Sequence, residues 1–160
     1  MLLAACESST VVQVQQPMLV RLTPFTSAAV AVTSPSGQYV AVTGDLKMQL
    51  TNDLRNAAVF RSVADAVEAG EGVPADRVNV MVTINDVREV GQRLRWYAGP
   101  LAGQAKIVAD VQVLGARSGT VIGQARFEAL SQSDNTYSGT TQDVVKQLSS
   151  QIVAWLAAYK

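Results

Sequence analysis

Three stretches of alternating apolar and polar residues constrain the fold of this chain more than any other feature. In the segment from Arg77 to Asp86, every second residue from Val78 to Ile84 is aliphatic, which is the period of a strand with one buried face. Two later stretches alternate in the same way. Gly115–Gly119 separates them, a length that suits a hairpin with a type I turn and a glycine bulge. The residues on the predicted buried faces are Val78, Val80, Val82 and Ile84, then Ala105, Ile107, Ala109, Val111 and Val113, and finally Val121, Ala125, Phe127 and Ala129. The sequence therefore predicts antiparallel strands with one apolar face.

Two segments carry the different spacing that an amphipathic helix requires. The apolar stripe of residues 40–57 consists of Val42, Leu46, Leu50 and Leu54, and that of residues 141–158 consists of Val144, Leu148, Ile152, Trp155 and Tyr159. Thr140, followed three residues later by Asp143, resembles a capping box in which Asp replaces the usual Glu or Gln. Each predicted helix is apolar on one side only, so both are expected to pack on the sheet.

The remaining apolar segments complete the predicted fold. Val11 to Thr23 is expected to be extended, and because Pro17 and Pro24 interrupt it, it is an edge strand or a broken one. Residues 28–32 either continue it or form a second short strand, and residues 59–63 form another. The prediction is an α+β fold with two layers: a mostly antiparallel sheet of about five strands, and two amphipathic helices packed on one face. Residues 11–160 are expected to be a single domain.

Composition excludes several classes of function. The 160 residues include no histidine and one cysteine, which excludes histidine-based catalysis, histidine-ligated zinc and a disulfide within the chain. The 13 basic and 13 acidic residues balance, so the basic excess typical of a nucleic-acid-binding protein is missing. No apolar run approaches the length of a spanning helix. We therefore expect no catalytic residue, no metal, no cofactor and no nucleic-acid partner.

The N-terminus carries the most specific short motif. Leu3-Ala4-Ala5-Cys6 matches the lipobox of bacterial lipoproteins, in which small residues precede the cysteine that receives the lipid. The alternative is an incidental or buried thiol at Cys6. Residues 1–5 are expected to be the remnant of a longer signal peptide, because five residues are fewer than the apolar region of such a peptide. Residues 6–10 would then be the lipidated cysteine and its tether.

The order of elements behind the lipobox resembles a group of bacterial outer-membrane lipoproteins of unknown function. These are similar to the periplasmic α+β domain of the curli secretion lipoprotein. The resemblance covers residues 40–160 and is carried by Leu46–Phe60, Asp76–Asp86 and the strands from Gly103 through Asp110 and Gly119. It implies the fold and a location at the periplasmic face of the outer membrane. Glu7 favours that membrane, because in such lipoproteins Asp at this position often signals inner-membrane retention.

One segment is a candidate partner surface. Arg88, Arg93 and Arg95 flank Trp96 and Tyr97, a combination typical of interface anchors and of contacts with anionic glycans or lipid headgroups. The alternative interpretation is core aromatic residues with arginine stems packed alongside.

Two groups of acids could carry chemistry but are more simply read as solvated side chains. Asp45 and Asp53 lie on one face of the first predicted helix, and paired carboxylates can perform acid–base catalysis. Glu68, Glu71 and Asp76 surround a glycine-rich loop, but their spacing does not match an EF-hand.

The expected function is therefore non-enzymatic: a binding or assembly module that a lipid anchors to the membrane and that has a protein partner or self-associates. Two alternatives stay open. A carboxylate-only hydrolase requires two acids facing each other across a cleft, and a carrier of a small apolar ligand requires an internal cavity of several hundred Å³.

Overall fold

A computed structural model describes residues 10–91, 93, 97–98, 103–131 and 140–160. Its strands are β1 (Thr10–Gln16), β2 (Ser27–Thr33), β3 (Ser62–Ala64), β4 (Arg77–Arg88), β5 (Lys106–Gly115) and β6 (Val121–Leu130). Two α-helices have both their ends within the described residues: α1 (Val40–Asn56) and α2 (Thr141–Ala157). The predicted helices therefore agree with the structure to within a residue at each end.

The sheet is larger and more mixed than the sequence predicts. Its six strands follow the order β1-β6-β5-β4-β2-β3. Neighbours from β1 to β4 are antiparallel, whereas β2 runs parallel to both β3 and β4. The α+β class is confirmed, but the expectation of about five mostly antiparallel strands is corrected. Alternation reports which face a residue occupies and not the direction of its strand. The direction of β2 follows from α1, which crosses over between β2 and β3.

One face of the sheet and the two helices enclose the core. The alternating aliphatic residues of β4 and β5 are fully buried or nearly so, as are Ala125, Phe127 and Ala129 of β6. The leucines of α1 and the apolar stripe of α2 cover this face, which we call the helix face; the opposite side is the outer face. The helices also contact each other, since the Ser149 hydroxyl donates to Asp53 Oδ2 at 2.6 Å.

The β5–β6 hairpin contains a bulge that the alternation did not reveal. Gly119 has φ of +67° and its N–H donates to the Gly115 carbonyl at 2.8 Å, which closes the turn. The register then shifts between Val113 and Leu114. As a result Ile122 is buried and Val121 is half exposed, so the prediction that Val121 faces the core is wrong.

The predicted cap of the second helix is confirmed. The Asp143 carboxylate accepts from the Thr140 N–H at 2.9 Å, and the Thr140 hydroxyl accepts from the Asp143 N–H at 3.4 Å. These two bonds satisfy donors that would otherwise lack partners at the start of α2. Within the described residues, neither helix combines the length and apolar character needed to cross a bilayer.

Candidate functional site

The edge strand β1 exposes apolar side chains on both of its faces. Val11, Val12 and Val14 are 48%, 38% and 50% exposed, although Val12 and Val14 have the same parity as Leu22 in the sequence. Leu22 is fully buried. Val12 pairs with Phe127 of β6; β1 is the edge strand, and α2 contacts it at its start, where Gln147 Nε2 donates to the Thr10 hydroxyl at 2.6 Å. The exposure is therefore a consequence of the position of β1 in the sheet.

The two edges of the sheet differ in how they are protected. The opposite edge, β3, has three residues, whereas β1 has seven and contains no charged residue and no proline. Soluble proteins usually shorten, charge or bend their edges to prevent pairing with another chain. The chain stays uncharged through Leu19 and Val20, which are also exposed. The absence of charge from Thr10 to Val20 is the sequence signal that could have revealed this surface.

The predicted arginine and aromatic surface lies in part at one end of the sheet. Arg88 is the last residue of β4, and it and Arg93 are exposed. Tyr97 is 81% exposed, which contradicts its interpretation as a core aromatic residue. Arg93 and Tyr97 both have helical backbone. Arg95, Trp96 and the predicted lipidation site Cys6 lie outside the described residues.

Hydrogen bonds fix both ends of the segment that carries these residues. At its start, the Val90 N–H donates to the Thr141 hydroxyl at 2.9 Å, and the Thr141 N–H donates to the Val90 carbonyl at 3.2 Å. After it, the Ala105 N–H donates to the Ser131 hydroxyl at 2.8 Å, and the Ser131 N–H returns a bond to the Ala105 carbonyl at 2.9 Å. Val90 is thus bonded to the start of α2, and Ala105 to the residue that follows β6.

Gly103 positions the Arg88 guanidinium. Gly103 has φ of +80°, and a Cβ built on it would lie 2.6 Å from Arg88 Nη2 and 3.3 Å from Arg88 Cζ. The guanidinium therefore lies against the glycine backbone, which only a residue without a side chain permits at this distance.

A cavity of about 260 Å³ lies where the first turns of both helices meet the end of β4. Asp45 and Glu89 both line it, together with Thr140, Thr141 and apolar residues. The predicted pair of Asp45 and Asp53 does not share this cavity. Asp53 instead joins the helices, accepting from Ser149 and from Gln49 Nε2 at 2.9 Å. Asp45 and Glu89 are thus the two acids that line this cavity.

Two of the three acids around the glycine-rich loop, Glu68 and Asp76, make structural contacts. Glu68 forms an ion pair with Arg77 at 3.5 Å, and the Glu68 carbonyl accepts from Asn79 Nδ2 at 2.9 Å. Glu68 therefore covers part of the outer face at β4. The Asp76 carboxylate accepts from the Thr26 hydroxyl. No group of three metal-ligating side chains comes together in the part of the chain that the structure describes.

A polar network on the outer face links three strands. Arg126 of β6 donates to both carboxylate oxygens of Asp110 on β5, at 2.7 and 2.9 Å, and Asn85 of β4 adds a bond of 2.7 Å. The Arg126 hydrogen bonds lower the pKa of the Asp110 carboxyl, burial partly opposes them, and the Asn85 bond adds to the lowering. The network fixes the lateral register of β4, β5 and β6.

Comparison of the chain with known families identifies its relatives. A family model described as "Domain of unknown function (DUF4410)" matches residues 27–133, about two thirds of the chain. The chain belongs to the DUF4410 family. In this DUF4410 protein the match begins at β2 and ends shortly after β6, so β1 and α2 lie outside it. No curated protein matches the chain.

Solved structures share the fold of this DUF4410 chain at low sequence identity. The PelC dodecamer from Paraburkholderia phytofirmans aligns with a TM-score of 0.61 and 14% identity, covering 95% of this chain and 100% of PelC. A variant of that dodecamer gives 0.59 at the same identity and coverage. XCC0632 from Xanthomonas campestris, of family model DUF330, gives 0.57 at 11% identity, covering 91% of this chain and 88% of that protein. At these identities the likeness concerns the fold.

Proposed function

We propose that this chain is a lipid-anchored module of the bacterial envelope that assembles with further copies of itself. The observation that carries the proposal is β1, a sheet edge of seven residues with three exposed valines and no charge. Such an edge offers unpaired backbone groups and apolar side chains to a partner strand. PelC, which has the same fold, is a dodecamer, and this favours a second copy of the chain as the partner.

The envelope location rests on the N-terminal motif. Cys6 ends the lipobox-like sequence Leu3-Ala4-Ala5-Cys6 and lies four residues before the start of β1. The resemblance to lipoproteins related to the curli secretion lipoprotein supports the periplasmic face of the outer membrane. An assembly role also suits a chain without histidine and with a single cysteine, because these absences remove the commonest catalytic groups.

Light scattering of the full chain purified in detergent tests the assembly. The protein mass is expected to be a multiple of the 17.0 kDa chain. The double variant Val11→Lys/Val14→Lys places one charge on each face of β1, which is how natural edges avoid pairing. It is expected to be monomeric at concentrations at which the wild type is assembled.

The matched control is Val40→Lys/Met48→Lys, which adds the same charge at two α1 residues that are 75% and 63% exposed. This control is expected to keep the wild-type mass, and circular dichroism verifies that both double variants fold. A monomeric wild type, or an unchanged mass for the β1 variant, would refute assembly through this edge.

Mass spectrometry of the protein isolated from its native host tests the anchor. The expected product begins at Cys6 and carries acyl groups on that residue, and Cys6→Ser is expected to abolish the membrane retention that resists a high-salt wash. Several acyl chains are needed for stable anchoring, because one chain binds a bilayer only marginally. Recovery of an unmodified thiol at Cys6 would end the lipid-anchor proposal without affecting the test of β1.

A further inference from the structure

The strand that follows the tether begins at the same end of the sheet as the arginine segment. The register places Thr10 of β1 beside Ala129 of β6, which pairs with Ile107 of β5, which in turn pairs with Val87 of β4. β1 therefore starts at the end of the sheet where β4 finishes at Arg88. We call this the tether end of the sheet.

The length of the tether limits the distance between the anchor and this end. Four residue steps separate Cys6 from Thr10, so the two Cα atoms lie at most about 14 Å apart. Three strand spacings, again about 14 Å, separate β1 from β4. A lipid on Cys6 would therefore hold the tether end close to the bilayer surface. This step rests on the proposed lipid anchor.

The side chains at the tether end suit an anionic lipid surface. Residues 88–97 contain three arginines and one acid, Glu89, in a chain whose formal net charge is zero. Glu89 lines the cavity beside α2, on the helix-face side. Arg88 lies directly opposite Lys106 in the register.

Lys106 has an anionic partner in Glu128, at 2.8 Å. Asp86 lies two residues before Arg88 in β4 and is therefore two residues further from the tether end. Arg93 and Tyr97, which follow the end of β4 in the chain, are both exposed. Tyrosine is enriched at bilayer surfaces because its ring is apolar and its hydroxyl polar, and arginine binds phosphate groups.

We propose that the tether end is a docking surface for an anionic lipid bilayer, where Arg88 and Arg93 contact headgroup phosphates and Tyr97 enters the headgroup layer. Gly103 and the bonds of Val90 and Ala105 hold this surface in place. Docking fixes the orientation of the domain: β1 runs away from the membrane and keeps its edge open to a second copy.

Vesicle co-sedimentation of the full chain carrying Cys6→Ser tests this surface without the lipid anchor. The chain is expected to bind phosphatidylcholine vesicles that contain phosphatidylglycerol and to bind poorly to phosphatidylcholine alone. Each basic residue near an anionic surface contributes about 1 kcal/mol, or roughly five-fold in affinity. Arg88→Gln/Arg93→Gln/Tyr97→Ser is therefore expected to weaken binding by at least about 25-fold.

The matched control is Arg61→Gln/Arg117→Gln/Met48→Ser. It removes the same charge and one exposed apolar side chain elsewhere, and Arg117 lies in the β5–β6 turn at the far end of the sheet. It is expected to retain wild-type binding. Absence of binding, equal binding to both vesicle types, or an equal loss in the control would overturn the proposal.

Light scattering of the same variants separates membrane docking from a subunit interface. The tether-end variant is expected to keep its assembled mass, and a change in mass without a change in vesicle binding would assign this end to a protein contact instead. Because the vesicle assay uses Cys6→Ser, its result does not depend on whether Cys6 carries lipid in the cell.

Discussion

Asp110 accepts three hydrogen bonds on the outer face of the sheet, so at the residue scale its protonation weakens contacts that join three strands. Its pKa in the folded protein is lowered, chiefly by Arg126. Between the folded and unfolded pKa values the unfolded state binds more protons, so stability rises with pH in that range. The contribution of Asp110 is complete above the ordinary carboxyl pKa of about 3.9 and is lost as pH falls through the lowered value.

We therefore predict that Asp110→Asn lowers the thermal midpoint at neutral pH and weakens its dependence on pH below about pH 4. Glu128→Gln is the control, because Glu128 lies on the same face and pairs with Lys106 at 2.8 Å. Thermal unfolding followed by circular dichroism from acid to neutral pH gives both curves. Parallel curves for the wild type and Asp110→Asn would contradict the role assigned to Asp110.

Two glycines are predicted to respond to alanine in opposite directions. Gly103→Ala requires a left-handed backbone with φ of +80° and displaces the Arg88 guanidinium, so a loss of about 1–2 kcal/mol is expected. Gly44 lies inside α1 with no atom within 4 Å of an added Cβ, so Gly44→Ala is expected to gain about 1 kcal/mol. Urea unfolding measures both changes. A loss at Gly44, or a neutral result at Gly103, would contradict this reading of the backbone.

Residue patterns predicted the faces of most core residues but not their exposure near an edge. Val80 and Phe127 are buried as alternation indicates, because each belongs to a strand with neighbours on both sides. Val12 also alternates with polar residues but is 38% exposed. The order of the strands decides how far the helices cover the sheet, and the local spacing of residues does not report that order. Val121 differs because a bulge changes the parity of β6. The arginine segment was identifiable from composition, whereas its place beside the tether required the register.

At the scale of elements, α2 joins the two sides of the tether end. Its first residue, Thr141, bonds to Val90, and Gln147 one turn and a half later donates to the Thr10 hydroxyl at 2.6 Å. The start of α2 thus contacts both the end of β4 and the start of β1. Whether the N-terminal part of α2 is folded should therefore influence the structure of the whole tether end.

The capping box gives a measurable prediction for α2. Thr140→Val keeps the branched side chain but removes the acceptor for the Asp143 N–H, so we expect a loss of about 1 kcal/mol. Hydrogen exchange should show the faster opening first in residues 141–145. Thr43→Val is the control: the Tyr39 carbonyl that its hydroxyl contacts also accepts the Thr43 N–H at 2.8 Å, so less is lost. Equal losses in the two variants would argue against the cap.

At the scale of the whole molecule, the two proposed surfaces differ in their physical chemistry and in their direction. The edge of β1 lies along the side of the sheet, and residues 10–20 carry no charge. The tether end lies across the strands and is rich in arginine. A domain docked by its tether end therefore leaves β1 accessible, and neighbouring copies can pair along the membrane plane without competing for the lipid surface.

Ionic strength should separate these two interactions in a single preparation. Between about 0.1 M and about 1 M salt the Debye length falls from about 10 Å to about 3 Å, which screens contacts between exposed arginines and phosphates. Apolar burial and backbone pairing at an uncharged edge are not weakened by this screening. We predict that the vesicle-bound fraction of the Cys6→Ser chain falls steeply over this range, whereas the assembled mass of the full chain stays constant. Dissociation of the assembly by salt would show that charged surfaces and not β1 hold the copies together, and salt-resistant vesicle binding would show that apolar insertion dominates at the tether end.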